Sequence, residues 1–483
     1  MKPSMNRPNV LLICVEHWSG RRIGALGHPM LTPTLDQLIA NGVAYTNAYA
    51  TTPSCIPARR ELMTGTFSRT HGDRVFNETL PMPSTPTMAQ TFRDAGYQAY
   101  AVGKLHVYPQ RDRIGFDDAL IDEEGRHHLG LTKDDYEMSV SEHGYAGQEF
   151  GHGMGSNDYC ARPWHLPEYL HHTNWTVREM SKFIVRRDTE RPAFWYMSFS
   201  APHPPLVPPA DYLEMYRHIE IDEPFMGEWA QDVSKIPYAL RQRRQGIGSY
   251  SDTEIRIARQ ALYAMSTHVD HQIRLIIGLL REEGLLDNTI IMFTSDHGDM
   301  VGNHGQFAKD MFYEDSAKIP MILVPHTERN DIGHGRKDDR LAAHADVFPT
   351  LLDLCSIPKP PTIEGHSLIG DLCRDILYGE HWEDIHASRM IREKQYKLIY
   401  YPIGNQSQLF DLNNDPNEMR NLANDPAYND IHARLTNHLI TKLYGTDLEW
   451  LDDNKLVGLE ENKYTPVEPP DRKLGGQRGL RFR

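Results

Sequence analysis

Five short aliphatic or β-branched runs recur along the chain, and segments of helical length separate them. Runs of this kind predict strands, and strands that alternate with helices predict a mostly parallel, doubly wound sheet with helices on its faces. We therefore expect an α/β fold built on one large sheet. The runs are VLLICV (10–15), YQAYAVG (97–103), AFWYMSFS (193–200), TIIMFTSD (289–296) and PMILVP (320–325).

Unusual polar residues follow four of these runs. In an open parallel sheet, ligands bind at the carboxyl ends of the strands. The sequence therefore predicts a functional site at that edge of the sheet. The residues are Glu16 and His17, Lys104 and His106, His203, and Asp296 and His297.

Helix signals lie between the runs. TPTLDQLIANG (32–42) and TPTMAQTFRDAG (85–96) each have a threonine cap, a proline just inside and a glycine at the end. Residues 252–284 carry apolar side chains at helical spacing. The stretch 119–180 is rich in histidine, glycine and aromatic residues, and we expect elaborated loops that shape a substrate site, with surface packing as the alternative.

The chain changes character after the proline-rich IPKPPT (357–362). YKLIYYP (396–402) and SQLFDL (407–412) predict strands of a short antiparallel sheet, and 425–443 predicts a helix. We expect a large catalytic α/β domain followed by a smaller C-terminal α+β subdomain and a basic, extended tail. The expected ranges are 1–375, 376–462 and 463–483.

Composition excludes several classes of function. The 483 residues are 40% hydrophobic and 24% charged, which is typical of a globular protein. A net charge of −15 argues against nucleic acid as a partner. The sequence has no apolar run near the roughly 20 residues of a membrane span, and its five cysteines form no CxxC pair that would indicate a disulfide framework or a zinc knuckle. We see no secretory signal and expect a cytoplasmic location.

One cysteine lies in an unusual setting, TTPSCIPARRELMTG (51–65), at a predicted helix start. It could be a redox thiol, a metal ligand, a nucleophile or a packed core residue. A nucleophile of the tyrosine-phosphatase kind requires five residues between the cysteine and its arginine. The sixth residue after Cys55 is Glu61, which would repel a phosphate, so that interpretation fails.

The pattern Cys-x-Pro-x-Arg at residues 55–59 resembles the signature of the type I sulfatase family, within the alkaline-phosphatase-like superfamily. In that family the cysteine is oxidised after translation to formylglycine, whose hydrate supplies the nucleophile. Five further segments resemble family landmarks in the same order. They are NVLLICVEHW (9–18), GKLH (103–106), APHPP (201–205), SDHGDMVGNHGQFAKDMFYEDSAKIPMIL (295–323) and LFDLNNDPNEMRNLA (409–423).

The resemblance implies hydrolysis of a sulfate ester and gives each residue a role. Residue 55 would be the nucleophile and Arg59 would orient it. Lys104, His106 and Lys309 would grip the sulfate group, and His203 would protonate the leaving group. The implied metal ligands are Glu16, His17, Asp296, His297 and one oxygen of the modified Cys55.

The pair Glu16-His17 departs from the family, which usually has Asp-Asp or Asp-Gln at these positions. Oxygen ligands suit a hard cation such as Ca²⁺, whereas imidazoles favour transition metals. We expect Ca²⁺, with Mn²⁺ or Zn²⁺ as alternatives. A purely structural role for His17 is the competing interpretation.

Two other functions stay open. A phosphonate monoester or phosphodiester hydrolase of the same superfamily shares the modified cysteine but generally lacks the pair Lys104 and His106. A non-catalytic relative that binds a sulfated ligand is supported only by the altered Glu16-His17.

The expected partners are a small sulfated sugar or an aryl or alkyl sulfate, and a formylglycine-generating maturation enzyme. The tail could also dock on an acidic surface of a second copy and form a homo-oligomer. Its basic residues are Lys463, Arg472, Lys473, Arg478, Arg481 and Arg483.

Overall fold

The computed structural model describes residues 7–124, 133–247, 250–371, 373–383 and 385–461. Eight strands form the central sheet: β1 (Asn9–Val15), β2 (Val43–Tyr49), β3 (Gln98–Gly103), β4 (Asp118–Ile121), β5 (Ala193–Ser198), β6 (Thr289–Ser295), β7 (Met321–Val324) and β8 (Arg336–Ala343). Their spatial order is β4-β3-β5-β1-β6-β7-β2-β8. Strand β7 runs antiparallel to β6 and β2, and the other neighbours are parallel. The predicted mostly parallel sheet is confirmed.

All five predicted strands belong to this sheet, but β2, β4 and β8 were not predicted. Strand β8 reads RKDDRLAA and forms one edge, with its charged first half largely exposed. Charges on an edge strand discourage pairing with another chain. They also remove the apolar run by which a strand is recognised.

Alternate side chains of β1 enter two different cores. Leu11 and Ile13 belong to the core on one face of the sheet, and Leu12 and Cys14 to the core on the other. A strand buried on both faces reads as a continuous apolar run, which explains why this one was predicted.

Helices cover both faces of the sheet. On the first face lie α1 (Pro33–Ala40), α6 (His172–Val185) and α9 (Asp252–Glu282), and on the second lie α2 (Cys55–Thr64), α4 (Met88–Asp94) and α11 (Val347–Leu354). The other α-helices are α3 (Ser68–His71), α5 (Asp135–Val140), α7 (Ala210–Met215), α8 (Tyr238–Ile247), α10 (Glu314–Ala317) and α12 (Asn429–Ile440).

A second, smaller sheet follows in the chain. Its strands β9 (Leu377–His381), β10 (Ser388–Arg392), β11 (Tyr396–Tyr401) and β12 (Gln406–Asp411) are antiparallel in the order β12-β11-β10-β9. Helix α12 packs on one face, where Leu435 and Leu439 share a core with Ile391. The other face packs against Met311 and Phe312. The predicted small α+β unit is confirmed, whereas its boundary at residue 376 stays a prediction.

Buried charges join the two sheets. Lys397 on β11 is fully buried, with its Nζ 2.9 Å from Glu314 Oε1 and 2.6 Å from Glu418 Oε1. Tyr49, at the carboxyl end of β2, donates its hydroxyl to Glu314 over 3.0 Å. The small sheet is therefore fastened to the edge of the large sheet at which the functional site was predicted.

The stretch 119–180 is only partly the loop region that we expected. It holds most of β4, all of α5 and the first turns of α6. Residues 125–132 and the expected basic tail at 463–483 lie outside the described residues. Among the described helices, including the 31-residue α9, none combines the length and the apolar character needed to cross a membrane.

Candidate active site

The ends of β1 and β6 meet the start of α2 at the carboxyl edge of the large sheet. The Cys55 thiol donates to Glu16 Oε1 over 2.9 Å, and Cys55 Sγ lies 3.2 Å from His297 Nε2. Ligand atoms of Glu16, His17, Cys55 and His297 all lie within 4.8 Å of one another, and all four side chains are buried. The structure thus brings together four of the five predicted metal ligands.

This cluster fits a divalent cation. Glu16 Oε2 is buried and has no hydrogen-bond partner among the described residues. Burial and the neighbouring Glu124 raise the pKa of Glu16 to about 7. A buried carboxylate oxygen without a partner is costly, and a cation would satisfy it. One carboxylate with imidazoles is a donor set that Mn²⁺ and Zn²⁺ tolerate well and that is less oxygen-rich than Ca²⁺ prefers.

Asp296, the fifth predicted ligand, lies beside this group. Its Oδ2 accepts from Arg59 Nε over 3.0 Å, and its Oδ1 lies 3.6 Å from His297 Nε2. Asp296 Oδ2 is thus occupied by the guanidinium, and Oδ1 accepts the His297 backbone N–H over 2.8 Å while lying near the His297 ring.

Cys55 is the first residue of α2, and Pro57 lies in the same first turn, where a missing N–H costs no helical hydrogen bond. The free N–H groups of a helix start favour an anion. Cys55 is 1% exposed, and burial together with Glu16 raises the pKa of its thiol well above the usual value. The thiol therefore keeps its proton at neutral pH and is a poor nucleophile in this form.

Arg59 ties three strand ends together. Its Nε donates to Asp296, which follows β6. Its NH1 donates over 3.0 Å to the carbonyl of Lys104, which follows β3, and over 2.7 Å to Ser198 Oγ on β5. The side chain is 2% exposed. Its NH2 has no hydrogen-bond partner among the described residues, so a donor is left for a ligand.

Lys104 enters the cluster directly. Its Nζ lies 2.5 Å from Glu16 Oε1 and 3.0 Å from Glu124 Oε1. The preceding Gly103 has a φ of 103°, and a Cβ there would lie 1.7 Å from the Ser198 carbonyl oxygen. Only glycine permits this approach of β3 to β5, which delivers the lysine to the site.

His106 lies farther along the same loop. Its backbone N–H donates to Glu123 over 2.7 Å, and its ring meets the ring of Phe76 edge-on at 5.7 Å. It lines a small cavity together with Ile56 and Arg60 of α2. The structure therefore places His106 beside the helix that begins with Cys55.

Lys309 lies between two histidines. Its Nζ is 2.8 Å from His17 Nε2 and 3.2 Å from His203 Nε2. His17 Nδ1 donates to Asp299 over 2.7 Å, and His203 Nδ1 donates to the Pro204 carbonyl. Both rings thus carry the proton on Nδ1 and offer Nε2 to the ammonium. Because Nδ1 is bonded to Asp299, a metal on His17 would have to take Nε2 in place of the ammonium.

Three residues at the site were missed in the sequence. Glu124, just beyond β4, contacts Lys104 and lies 3.8 Å from His203 Nδ1. The rule that found the other strand-end residues would have found Glu124 if β4 had been recognised. Asp299 accepts from His17 and from the Tyr159 hydroxyl. Asp299 could have been found from its position in SDHGDM (295–300), which resembles a family landmark. No sequence pattern pointed to Tyr159.

Comparison with known proteins identifies the family. The sulfatase family model matches residues 8–357, and the model for the C-terminal part of N-sulphoglucosamine sulphohydrolase matches residues 302–444. The chain is 34% identical over 475 residues to an arylsulfatase of Clostridium perfringens (strain 13 / Type A), and the alignment covers 93% of this chain and 97% of the relative.

Solved structures agree on the fold. The phosphonate monoester hydrolase of Agrobacterium radiobacter superposes with a TM-score of 0.79 at 23% identity, covering 94% of this chain and 100% of that one. A protein solved in complex with its substrate D-glucosamine-2-N,6-O-disulfate superposes with a TM-score of 0.72 at 20% identity, covering 93% and 99%. The resemblance seen in the sequence is confirmed: this chain is a sulfuric ester hydrolase and belongs to the sulfatase family.

Proposed function

We propose that the protein hydrolyses a sulfate monoester to an alcohol and inorganic sulfate, with a nucleophile made from Cys55 and with a bound divalent metal. The main support for this proposal is the position and protonation of Cys55. It starts α2 in contact with Glu16 and His297, yet burial and Glu16 keep its thiol protonated. As formylglycine, residue 55 would supply a hydroxyl of the aldehyde hydrate in place of the unreactive thiol.

Lys104 and Lys309 would bind the sulfate group. Both ammonium groups lie against the Cys55 cluster, one through Glu16 and the other through His17. Fixed cations in a buried site stabilise the negative charge that builds on sulfate oxygens in the transition state. We keep His106 as a further sulfate contact, because it follows the same strand as Lys104.

His203 would protonate the leaving alcohol as the sulfur–oxygen bond breaks. Its Nδ1 proton is held by the Pro204 carbonyl, with Glu124 3.8 Å away. Nε2 carries no proton in this tautomer, so it would first take one from the Lys309 ammonium and then pass it to the alcohol. Lys309 lies 3.2 Å from that nitrogen. The hydrate oxygen that has bonded to sulfur would then leave with the sulfate as its bond to the residue 55 carbon breaks, and water would add to the resulting aldehyde to restore the hydrate.

The metal would be held by Glu16, His17, Asp296, His297 and an oxygen of modified residue 55. A bound divalent cation supplies positive charge that makes a hydroxyl more acidic and offsets the charge of the sulfate. Ca²⁺ is the proposed ion. Mn²⁺ and Zn²⁺ are alternatives that the imidazoles of His17 and His297 favour.

The proposed substrates are small sulfated sugars and aryl or alkyl sulfates. The relative from Clostridium perfringens is named an arylsulfatase, and one structural neighbour binds a glucosamine disulfate. We also propose a formylglycine-generating enzyme as maturation partner, a cytoplasmic location and a homo-oligomer formed through the tail.

A phosphonate monoester or phosphodiester hydrolase is the second candidate, because a phosphonate monoester hydrolase has the same fold. The placement of Lys104 against Glu16 favours the sulfatase. A non-catalytic binder of sulfated ligands is disfavoured by the intact set of Cys55, Arg59 and Lys309 in one site.

The test combines mass spectrometry with kinetics on protein made beside a maturation enzyme. We expect the peptide containing residue 55 to carry the aldehyde, and kcat/KM to be higher for an aryl sulfate than for an aryl phosphonate monoester. Cys55→Ala should be inactive. Cys355→Ala, which changes a buried cysteine at the end of α11, is the matched control and should stay active.

Two outcomes would contradict this proposal. Full sulfatase activity from protein that contains only the Cys55 thiol would exclude the aldehyde mechanism. A higher kcat/KM for the phosphonate would establish the second candidate instead.

A further inference from the structure

The backbone around Lys309 is held in an unusual conformation. Its neighbours Ala308 and Asp310 have φ values of 61° and 72°, a left-handed region that costs an alanine roughly 1 kcal/mol or more. Ala308 N–H donates to Asp299 over 3.1 Å, and Asp310 N–H donates to the Pro53 carbonyl over 2.9 Å. Such strain persists only where the surroundings over-determine the conformation, and it concentrates at functional sites.

The Asp310 side chain lies between two elements that contribute no residue to the catalytic cluster, and one of them anchors it. Its Oδ2 accepts from Arg243 NH1 of α8 over 2.7 Å, and its Oδ1 lies 3.4 Å from His381 Nε2 of β9 in the small sheet. The side chains of Asp310, Arg243 and His381 are 16%, 19% and 0% exposed. Distant parts of the chain thus converge on the residue next to Lys309.

Asp310 is charged and His381 is neutral near pH 7, which suits an ion pair between Asp310 and Arg243. Burial alone would raise the pKa of Asp310, but Arg243 and His381 lower it below its ordinary value, so the carboxylate is charged. Burial lowers the pKa of His381 to about 3, so the ring is neutral near pH 7.

We propose that Asp310 is a positioning residue: held by Arg243 and packed beside His381, it fixes the Lys309 ammonium where sulfate binds. In this way α8 and the small sheet contribute to sulfate binding without touching the substrate. The inference rests on the proposed function, because sulfate is the ligand concerned. A partly buried ion pair adds little net stability, so specificity of position is the better account of this one.

The central variant is Asp310→Asn. Asparagine tolerates positive φ about as well as aspartate, so the change removes the charge and leaves the backbone preference intact. Arg243→Gln removes the charge from the opposite side of the pair. For each we expect inorganic sulfate, measured by calorimetry, to bind about tenfold more weakly. We also expect KM for an aryl sulfate to rise more than kcat falls.

The matched control is Glu283→Gln, which breaks the pair between Arg187 and Glu283. That pair has the same chemistry, with 2.8 Å between its atoms and side chains 13% and 32% exposed, and it lies at the end of α9. Sulfate binding and KM should equal those of the parent.

A double-mutant cycle with Lys309→Met separates positioning from general structure. If Asp310 acts through the lysine, Asp310→Asn should lower kcat/KM in the parent and add almost nothing in Lys309→Met. An equal loss in both backgrounds, or unchanged sulfate binding in Asp310→Asn, would overturn the inference. If Asp310→Asn fails to fold, Arg243→Gln replaces it in the cycle. A parent that neither binds sulfate nor cleaves aryl sulfates would instead overturn the proposed function, and this inference with it.

Discussion

At the scale of single residues, Glu16 holds the site together. One carboxylate oxygen accepts from the Cys55 thiol and from the Lys104 ammonium, and the other has no partner in the described part of the chain. A buried carboxylate with one hydrogen-bonded oxygen and one oxygen without a partner can bind a cation through the second oxygen. We therefore expect metal binding to depend most on Glu16.

We expect Glu16→Ala to lose its metal and most of its activity. His17→Gln should retain activity with Ca²⁺ and weaken any preference for Mn²⁺ or Zn²⁺, because an amide oxygen replaces an imidazole nitrogen. Elemental analysis of both variants beside the parent measures this, with the exposed Glu214→Ala as control. Full metal occupancy in Glu16→Ala would show that the first ligand is misplaced.

Glu61 gives a prediction about pH. It is fully buried on α2, where it accepts from the Thr51 hydroxyl and the Ala345 N–H, and burial raises its pKa from 4.5 to about 8. Between these values the native state keeps a proton that the unfolded chain has lost. The stability contributed by this group is therefore complete below about pH 4.5 and is lost as the pH rises through about 8.

The corresponding variant is Glu61→Gln, which cannot titrate. Subtracting its free energy of unfolding from that of the parent isolates Glu61, because all other groups titrate in both proteins. We expect the difference to fall by up to about 1.4 kcal/mol per pH unit between pH 5 and 8. Denaturant titrations at several pH values measure it, and a difference independent of pH would show that Glu61 is ionised in the native state.

At the scale of elements, the small sheet is fastened to the large one by Lys397. We expect Lys397→Met to lower the free energy of unfolding by about 3 kcal/mol, because Glu314 and Glu418 then face each other in a buried space without their shared cation. Chemical denaturation measures the loss.

The control for that prediction is Lys394→Met, between β10 and β11. Lys394 pairs with Asp339 at 2.6 Å, but the two side chains are 68% and 62% exposed, and surface pairs contribute about 0–1 kcal/mol. Equal losses in the two variants would mean that the buried network does not fasten the sheets.

The strands that sequence patterns predicted are those buried on both faces of the sheet. Strands β1, β3, β5, β6 and β7 are apolar because helices cover both faces, and the predicted helix 85–96 appears as Met88–Asp94. Strand β2 reads VAYTNAY, with two polar residues, and β4 spans only four residues. Neither length nor alternation distinguishes such strands from loops.

Strand ends and the family pattern were enough to predict part of the candidate site. The carboxyl ends of β1, β3 and β6 delivered Glu16, Lys104 and His297. The partnership of Asp310 with His381 joins residues 71 positions apart through the docking of one sheet on another. Local patterns carry no information on such a contact, since it depends on the tertiary fold.

At the scale of the whole molecule, the chain is strongly acidic, with a net charge of −15, yet its candidate active site gathers Arg59, Lys104 and Lys309. Each of these cations lies within 4 Å of a carboxylate or an imidazole. The attraction for a sulfate ester therefore comes from local geometry rather than from the overall charge.

The pairing of β1 with β6 has a consequence for how the protein is made. Asn9 lies beside Thr289, so during synthesis β1 must wait for a partner made 280 positions later. Contacts this far apart in sequence make folding slow. Until then one edge of β1 is open to pairing with another nascent chain. Chaperone supply and translation speed, more than final stability, should therefore set the yield of folded protein.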